Sequence, residues 1–164
     1  MKILITGSKG YIGRNLVHFF KDCGFEVKEC DIKNDKEQSF QNLTAEYLEW
    51  YDVIIHLAAL SSVEKDDDID NLIETNISGL NEFTKKVGKW LECDVNRKFI
   101  FFSSCFVCQN EKLGNYSISK VLGERIVQKN TNGKGIIIRP TNVVGAICND
   151  RVDDFDNGHF LCYK

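Results

Sequence analysis

The chain has 164 residues, 43% of them hydrophobic and 27% charged, a balance that fits one globular domain and excludes a disordered chain. Lys and Arg number 21 against 24 Asp and Glu, a net charge of −3, so no nucleic-acid or other polyanion partner is expected. Only one lysine and "ILIT" precede the first glycines, and no apolar run approaches the ~18 residues of a membrane span; a cytoplasmic protein without membrane association is the expectation.

In chain order, "KILIT" predicts a buried strand over 2–6. Residues 12–22 predict a helix, with Ile12, Leu16, Phe19 and Phe20 on one face. "CGFEVKEC" reads as a turn followed by a strand over 26–30. A short helix is expected over 43–49, and "DVIIHLAA" predicts a third buried strand over 52–59. A long helix is expected over 69–91, with Leu72, Ile73, Ile77, Leu80, Phe83, Val87 and Trp90 as its apolar positions. "KFIFFSS" predicts a fourth strand, 116–129 a helix, and "GIIIR" a fifth strand.

Strands that are continuous apolar runs, alternating with helices, belong to a parallel sheet covered on both faces. The expected fold is therefore α/β: a Rossmann-like, doubly wound parallel sheet in three αβα layers. Residues 1–147 read as the dinucleotide-binding domain. Residues 148–164 read as a C-terminal tail or the truncated start of a substrate-binding region: "DRVDDFDNG" as loop, "HFLCYK" as a strand or a frayed end.

The seven cysteines are an odd number. Cys105 and Cys108 form a C-x-x-C with no second pair and no nearby histidine, so no metal site is expected and the thiols read as reduced.

Gly7, Gly10 and Gly13 stand three apart, directly behind the first strand and at the start of a helix. In that setting Gly7 allows a tight turn, and Gly10 lets a pyrophosphate approach the backbone. Gly13 lets the helix pack close to the strand, and the free N–H groups of the helix start face the anion. A plain strand–helix turn is the alternative. Asp31 ends the second strand, 24 residues beyond Gly7. A carboxylate there accepts hydrogen bonds from the adenosine ribose hydroxyls and repels a 2′-phosphate, so NAD is expected rather than NADP.

The fourth strand ends in Ser103 and Ser104, and strand C-terminal ends are where open α/β sheets bind ligands. Tyr116 and Lys120 lie four apart, on one helix face. A lysine ammonium beside a phenol favours the phenolate, which can take a hydroxyl proton while Ser104 holds the same oxygen. His56, inside an apolar strand, reads as a packed core histidine rather than a base.

With "TGSKGYIGRNL", Asp31, "HLAA", "NISGL", "FIFFSS", "YSISKVLGE" and "IIIRPTNVVG" in order, the chain resembles the extended short-chain dehydrogenase/reductase family of NAD-dependent nucleotide-sugar epimerases and dehydratases. The resemblance runs from Met1 to about Ala146, the family's N-terminal cofactor-binding part, and the C-terminal substrate lobe is expected to be absent. It implies a cofactor site of Gly7, Gly10, Tyr11, Ile12, Gly13, Asp31, Leu57, Ala58, Ala59, Asn76 and Lys120. It also implies Ser104, Tyr116 and Lys120 as the catalytic set, with Ser104 and Asn142 at the substrate. The implied chemistry is transient oxidation of a sugar hydroxyl, at C4, on a UDP- or dTDP-linked sugar. Cys105 and Phe106 stand where a dehydratase carries its acid pair, so epimerisation or reduction is expected instead. The resemblance also implies a homodimer through helices 69–91 and 116–129. The other reading is a dinucleotide-binding module, truncated or degenerate, without turnover of its own.

Overall fold

The computed structural model describes residues 1–33, 35–60, 69–108, 114–141 and 143. The strands are β1 (Lys2–Thr6), β2 (Glu26–Cys30), β3 (Val53–His56), β4 (Lys98–Phe102) and β5 (Ile136–Ile138). All pair in parallel, in the order β2-β1-β3-β4-β5. From β1 the chain moves outward to β2, then returns across β1 to β3. That reversal opens a crevice between the C-terminal ends of β1 and β3.

The period-two alternation of the strands sorts the core into two layers. Leu4, Ile54, Phe99 and Phe101 point to one face, where they meet Phe83, Val87 and Trp90 of α4 (Leu80–Cys93) and Val127 of α5 (Asn115–Asn130). Ile3, Ile5 and Ile55 point to the other face and meet Val17 of α1 (Tyr11–Asp22). The three-layer Rossmann-like architecture follows. Phe83 and Val87 are fully buried in this core.

Several boundaries differ from the sequence expectation. On α1 the buried positions are Gly13 and Val17, and Phe19 is 59% exposed, because the helix meets the sheet on a narrower stripe than its apolar residues cover. The third strand stops at His56 rather than continuing to Ala59. After Leu57 N–H donates to Thr6 O, residues 57–60 leave the ladder and turn toward the crevice. The segment between β2 and β3 holds α2 (Ala45–Leu48) and two 3-10 turns, Lys36–Gln38 and Phe40–Asn42. Phe40 anchors that segment edge-on against His56 and Phe83, and Lys86 Nζ donates to Leu43 O at 2.7 Å.

The expected long helix is α3 (Ile69–Ile73), a π-helical segment (Glu74–Gly79) and α4. Single π turns inside α-helices recur at functional sites. This one turns Asn76 inward: its Oδ1 accepts Leu60 N–H at 2.9 Å, and its Nδ2 donates to Leu60 O and Ser119 Oγ, each at 3.0 Å.

The expectation of an absent C-terminal substrate lobe is not supported. α5 and β5 are both present, β5 is paired in register with β4, and the described part of the chain runs on past Arg139 and Pro140. Residues 148–164 lie outside the described residues.

Candidate active site

The crevice holds two cavities, of about 400 and about 370 Å³. They share Gly7, Gly10, Leu57 and Ala59 as lining residues, so they meet over the glycine turn.

That turn is shaped by two packing constraints. Gly7 has φ of +72°, and a Cβ on it would lie 2.6 Å from Ala58 N, so only glycine fits. A Cβ on Gly13 would lie 2.2 Å from Gly7 O and 2.8 Å from Ser8 Cα; Gly13 therefore seats α1 on the turn itself, rather than on the strand as expected. Gly10 is different. It has ordinary negative φ at the N-cap of α1, and the nearest atom to its Cβ position is Gly7 O at 3.2 Å. Its missing side chain leaves room on the crevice side, at the N-terminal end of α1, where a helix favours an anion.

The larger cavity brings together Gly7, Gly10, Tyr11, Ile12, Gly13, Leu57, Ala59, Ser104, Tyr116 and Lys120. The second joins Gly7, Gly10, Asp31, Leu57, Ala58 and Ala59. Asn76 lines neither; it sits behind the crevice wall and holds Leu60 in place. Asn142 lies outside the described residues.

Asp31 is 9% exposed. Its Oδ2 accepts Lys9 N–H at 2.8 Å and its Oδ1 accepts Lys33 N–H at 2.9 Å. A carboxylate has about four acceptor positions, so two are left for a ligand's hydroxyls.

Ser104 is held on a 3-10 turn, Cys105–Cys108, where its Oγ accepts Phe106 N–H at 3.3 Å. Cys105 N–H donates to Pro140 O, tying this turn to the segment after β5. Beside it, Arg139 forks onto Glu124 at 2.8 and 2.6 Å, and this guanidinium holds the Glu124 carboxyl below its ordinary range.

Lys120 is 5% exposed; its Nζ donates to Phe102 O at 2.8 Å and lies 5.7 Å from the Tyr116 ring centre. Burial pulls the ammonium down to about 8. Burial also pushes the Tyr116 phenol up from its ordinary value. The expected stabilisation of the phenolate by Lys120 thus does not outweigh desolvation in the chain alone.

His56 is fully enclosed, as expected of a core histidine. It stacks on Phe101, packs against Phe40 and Phe83, and shares a 2.7 Å hydrogen bond with the Thr6 hydroxyl. Among the described residues no group of three His, Cys, Asp or Glu side chains could hold a metal, and no helix is long and apolar enough to cross a membrane.

Sequence reasoning missed part of the lining. Phe106, Pro140 and Thr141 close the larger cavity, and Gln38, Ser39, Phe40 and Gln41 wall the second. The latter come from the segment without a periodic pattern, so no spacing signal pointed to them.

The chain is similar to the GDP-6-deoxy-D-talose 4-dehydrogenase of Aggregatibacter actinomycetemcomitans, at 28% identity over 159 residues, covering 88% of this chain and 54% of that protein. It is similar in fold to the UDP-glucuronic acid 4-epimerase of Bacillus cereus in complex with NAD. There the TM-score is 0.70 and the identity 23%, over 88% of this chain and 58% of that one. It is likewise similar in fold to a dTDP-4-dehydrorhamnose reductase of Clostridium acetobutylicum. There the TM-score is 0.71 and the identity 22%, over 96% of this chain and 59% of that one. The chain thus spans somewhat over half the length of each of these proteins.

The model of the NAD dependent epimerase/dehydratase family matches residues 3–163. This overturns the expectation that the resemblance is confined to an N-terminal cofactor part ending near Ala146. It also removes support for an absent lobe. With 161 residues matched in sequence order, and a crevice lined as described, the chain belongs to the NAD dependent epimerase/dehydratase family.

Proposed function

We propose that the protein binds NAD across the two cavities and carries out oxidoreduction or epimerisation at a hydroxyl-bearing carbon, C4, of a UDP- or dTDP-linked sugar. The observation that carries this reading is the meeting of the two cavities over Gly7 and Gly10, with Asp31 in one and Ser104, Tyr116 and Lys120 in the other. A ligand of two nucleotides joined by a pyrophosphate has that shape.

In this reading Gly10 and the start of α1 hold the pyrophosphate, Asp31 accepts from the adenosine ribose, and Leu57, Ala58 and Ala59 form the wall between. NAD, when bound, supplies a hydride acceptor. Tyr116 accepts the proton of the sugar hydroxyl and returns it in the reverse direction. Ser104 donates a hydrogen bond to the same oxygen. Lys120, fixed by Phe102 O, offsets the negative charge that Tyr116 carries as a base. Asn142 is assigned to the substrate by the resemblance. Ile118 and Leu122, exposed one turn apart on α5, and Ile73 on α3 support pairing of two copies through these helices.

The test is a titration with NADH followed by its fluorescence, then turnover with UDP- and dTDP-sugars. The expected result is NADH binding that Asp31→Ala weakens, and turnover that Tyr116→Phe lowers by about 10²–10⁴-fold, the range for loss of a general base, with NADH binding kept. Failure to bind NADH, or turnover unchanged in Tyr116→Phe, would overturn the reading.

A further inference from the structure

Glu29 lies on the α1 face of β2, two residues before Asp31, and is paired in register with Ile5. Its carboxylate takes two cations at once: Lys9 Nζ on Oε2 at 2.7 Å and Lys21 Nζ on Oε1 at 2.8 Å. The Glu29 side chain is 23% exposed. Burial works against its charge, but Lys21 and Lys9 together outweigh burial and keep it ionised below the ordinary range.

Lys9 connects this cluster to the ribose seat. Its backbone N–H donates to Asp31 Oδ2, while its ammonium is turned away onto Glu29. One residue therefore faces both carboxylates, with its amide on one and its charge on the other. Lys9, Lys21, Glu29 and Asp31 sum to zero charge.

A 2′-phosphate on the adenosine ribose would bring close to two further negative charges beside Asp31. It would need a cation within reach. A lysine ammonium on its four-carbon stem is such a cation, and Lys9 is rooted directly next to Asp31. Lys33, whose backbone N–H holds Asp31 Oδ1, is the other lysine rooted there.

We infer that Glu29 is a specificity-determining residue: by holding Lys9 it withholds that charge from a 2′-phosphate, so the site takes NAD and rejects its 2′-phosphorylated form. The inference rests on the proposed NAD site, and it adds a residue outside the lining of either cavity. Glu29→Gln leaves the four-residue cluster with a charge of +1 and frees the Lys9 ammonium.

The test is equilibrium titration of the chain with NADH and with NADPH, read by nicotinamide fluorescence, for the parent, Glu29→Gln, and Glu29→Gln with Lys9→Met. The parent is expected to prefer NADH. Glu29→Gln is expected to bind NADPH about tenfold more tightly, the effect of one released charge worth about 1.4 kcal/mol, with NADH affinity within about twofold. That unchanged NADH affinity also shows the variant is folded. The double variant is expected to lose the gain, which assigns it to Lys9 rather than Lys33. NADPH affinity unchanged in Glu29→Gln, a gain that persists in the double variant, or a parent indifferent to the 2′-phosphate would each overturn the inference while leaving the NAD reading intact. A parent that binds neither dinucleotide would overturn both.

Discussion

The ammonium of Lys120 donates to the carbonyl oxygen of Phe102 at 2.8 Å, joining the middle of α5 to the end of β4 beneath Tyr116. The same Nζ lies 5.0 Å from the Phe101 ring centre, so a nearly buried cation is held by one carbonyl and by ring faces.

Burial lowers Lys120 from 10.5 to about 8, which sets the sign of its pH effect. Between these values the unfolded chain binds the proton and the folded chain releases it, so stability rises with pH across that window. Below about 8 both states are protonated, and the full penalty of burying the charge is present. The rise amounts to about 3 kcal/mol at most. Urea melts at several pH values from 8 to 10.5 are expected to show this slope in the parent and a flatter one in Lys120→Met. Equal slopes would show that Lys120 is not the group responsible.

His56 is predicted to make the protein sensitive to acid. Burial holds it down to about 3 from 6.5, so the folded chain keeps it neutral while the unfolded chain takes up a proton. Its contribution is complete above pH 6.5 and shrinks as the pH falls toward 3. Glu29 and Glu124, both held below their ordinary range, likewise contribute stability that is lost as the pH falls. His56→Asn should therefore be less stable at neutral pH but lose less stability than the parent between pH 6.5 and 5, measured by chemical denaturation. A parallel loss in both proteins would contradict this.

Gly10 and Gly13 should separate ligand binding from folding. Gly13→Ala places a methyl group 2.2 Å from Gly7 O and should destabilise by about 1–3 kcal/mol through overpacking. Gly10→Ala meets only Gly7 O, at 3.2 Å, so its melting temperature should stay close to that of the parent while NADH affinity falls at least tenfold. Two variants with matching stability and matching affinity would remove the distinction.

Asn76→Ala strips Leu60 N–H, Leu60 O and Ser119 Oγ of one partner each. Asn76 is 5% exposed, so water does not readily replace it. The expected loss is about 2–3 kcal/mol, from polar groups left unsatisfied, with weaker NADH binding because Leu60 lines the second cavity. Wild-type stability in Asn76→Ala would show that the π turn is held by other contacts.

Much of this was legible from residue order alone. Apolar runs such as "KILIT" and "KFIFF" can be buried only between two helical layers, so β1 and β4 were placed within two residues at each end. Gly7 and Asp31 were legible because each ends a strand at a fixed distance from the other, and backbone geometry ties that distance to one crevice. Glu26–Cys30, with three charged residues in five, was also found, from its flanking turn.

Other features depend on contacts between distant segments. The π turn exists because Asn76 meets Leu60, 16 residues away, and no helical periodicity encodes that partner. The protonation preferences of Tyr116 and Lys120 follow from how completely the sheet and α5 exclude water, which their four-residue spacing does not report. The pairing of Lys9 with Glu29 depends on the parallel register of β1 and β2, which lays the glycine turn beside the end of β2. Local order thus determined the layers and the candidate groups, because burial and turn chemistry act over a few residues. Charge state and specificity were decided by the fold, because electrostatic energy depends on distances and solvent exclusion set by residues far apart in the chain.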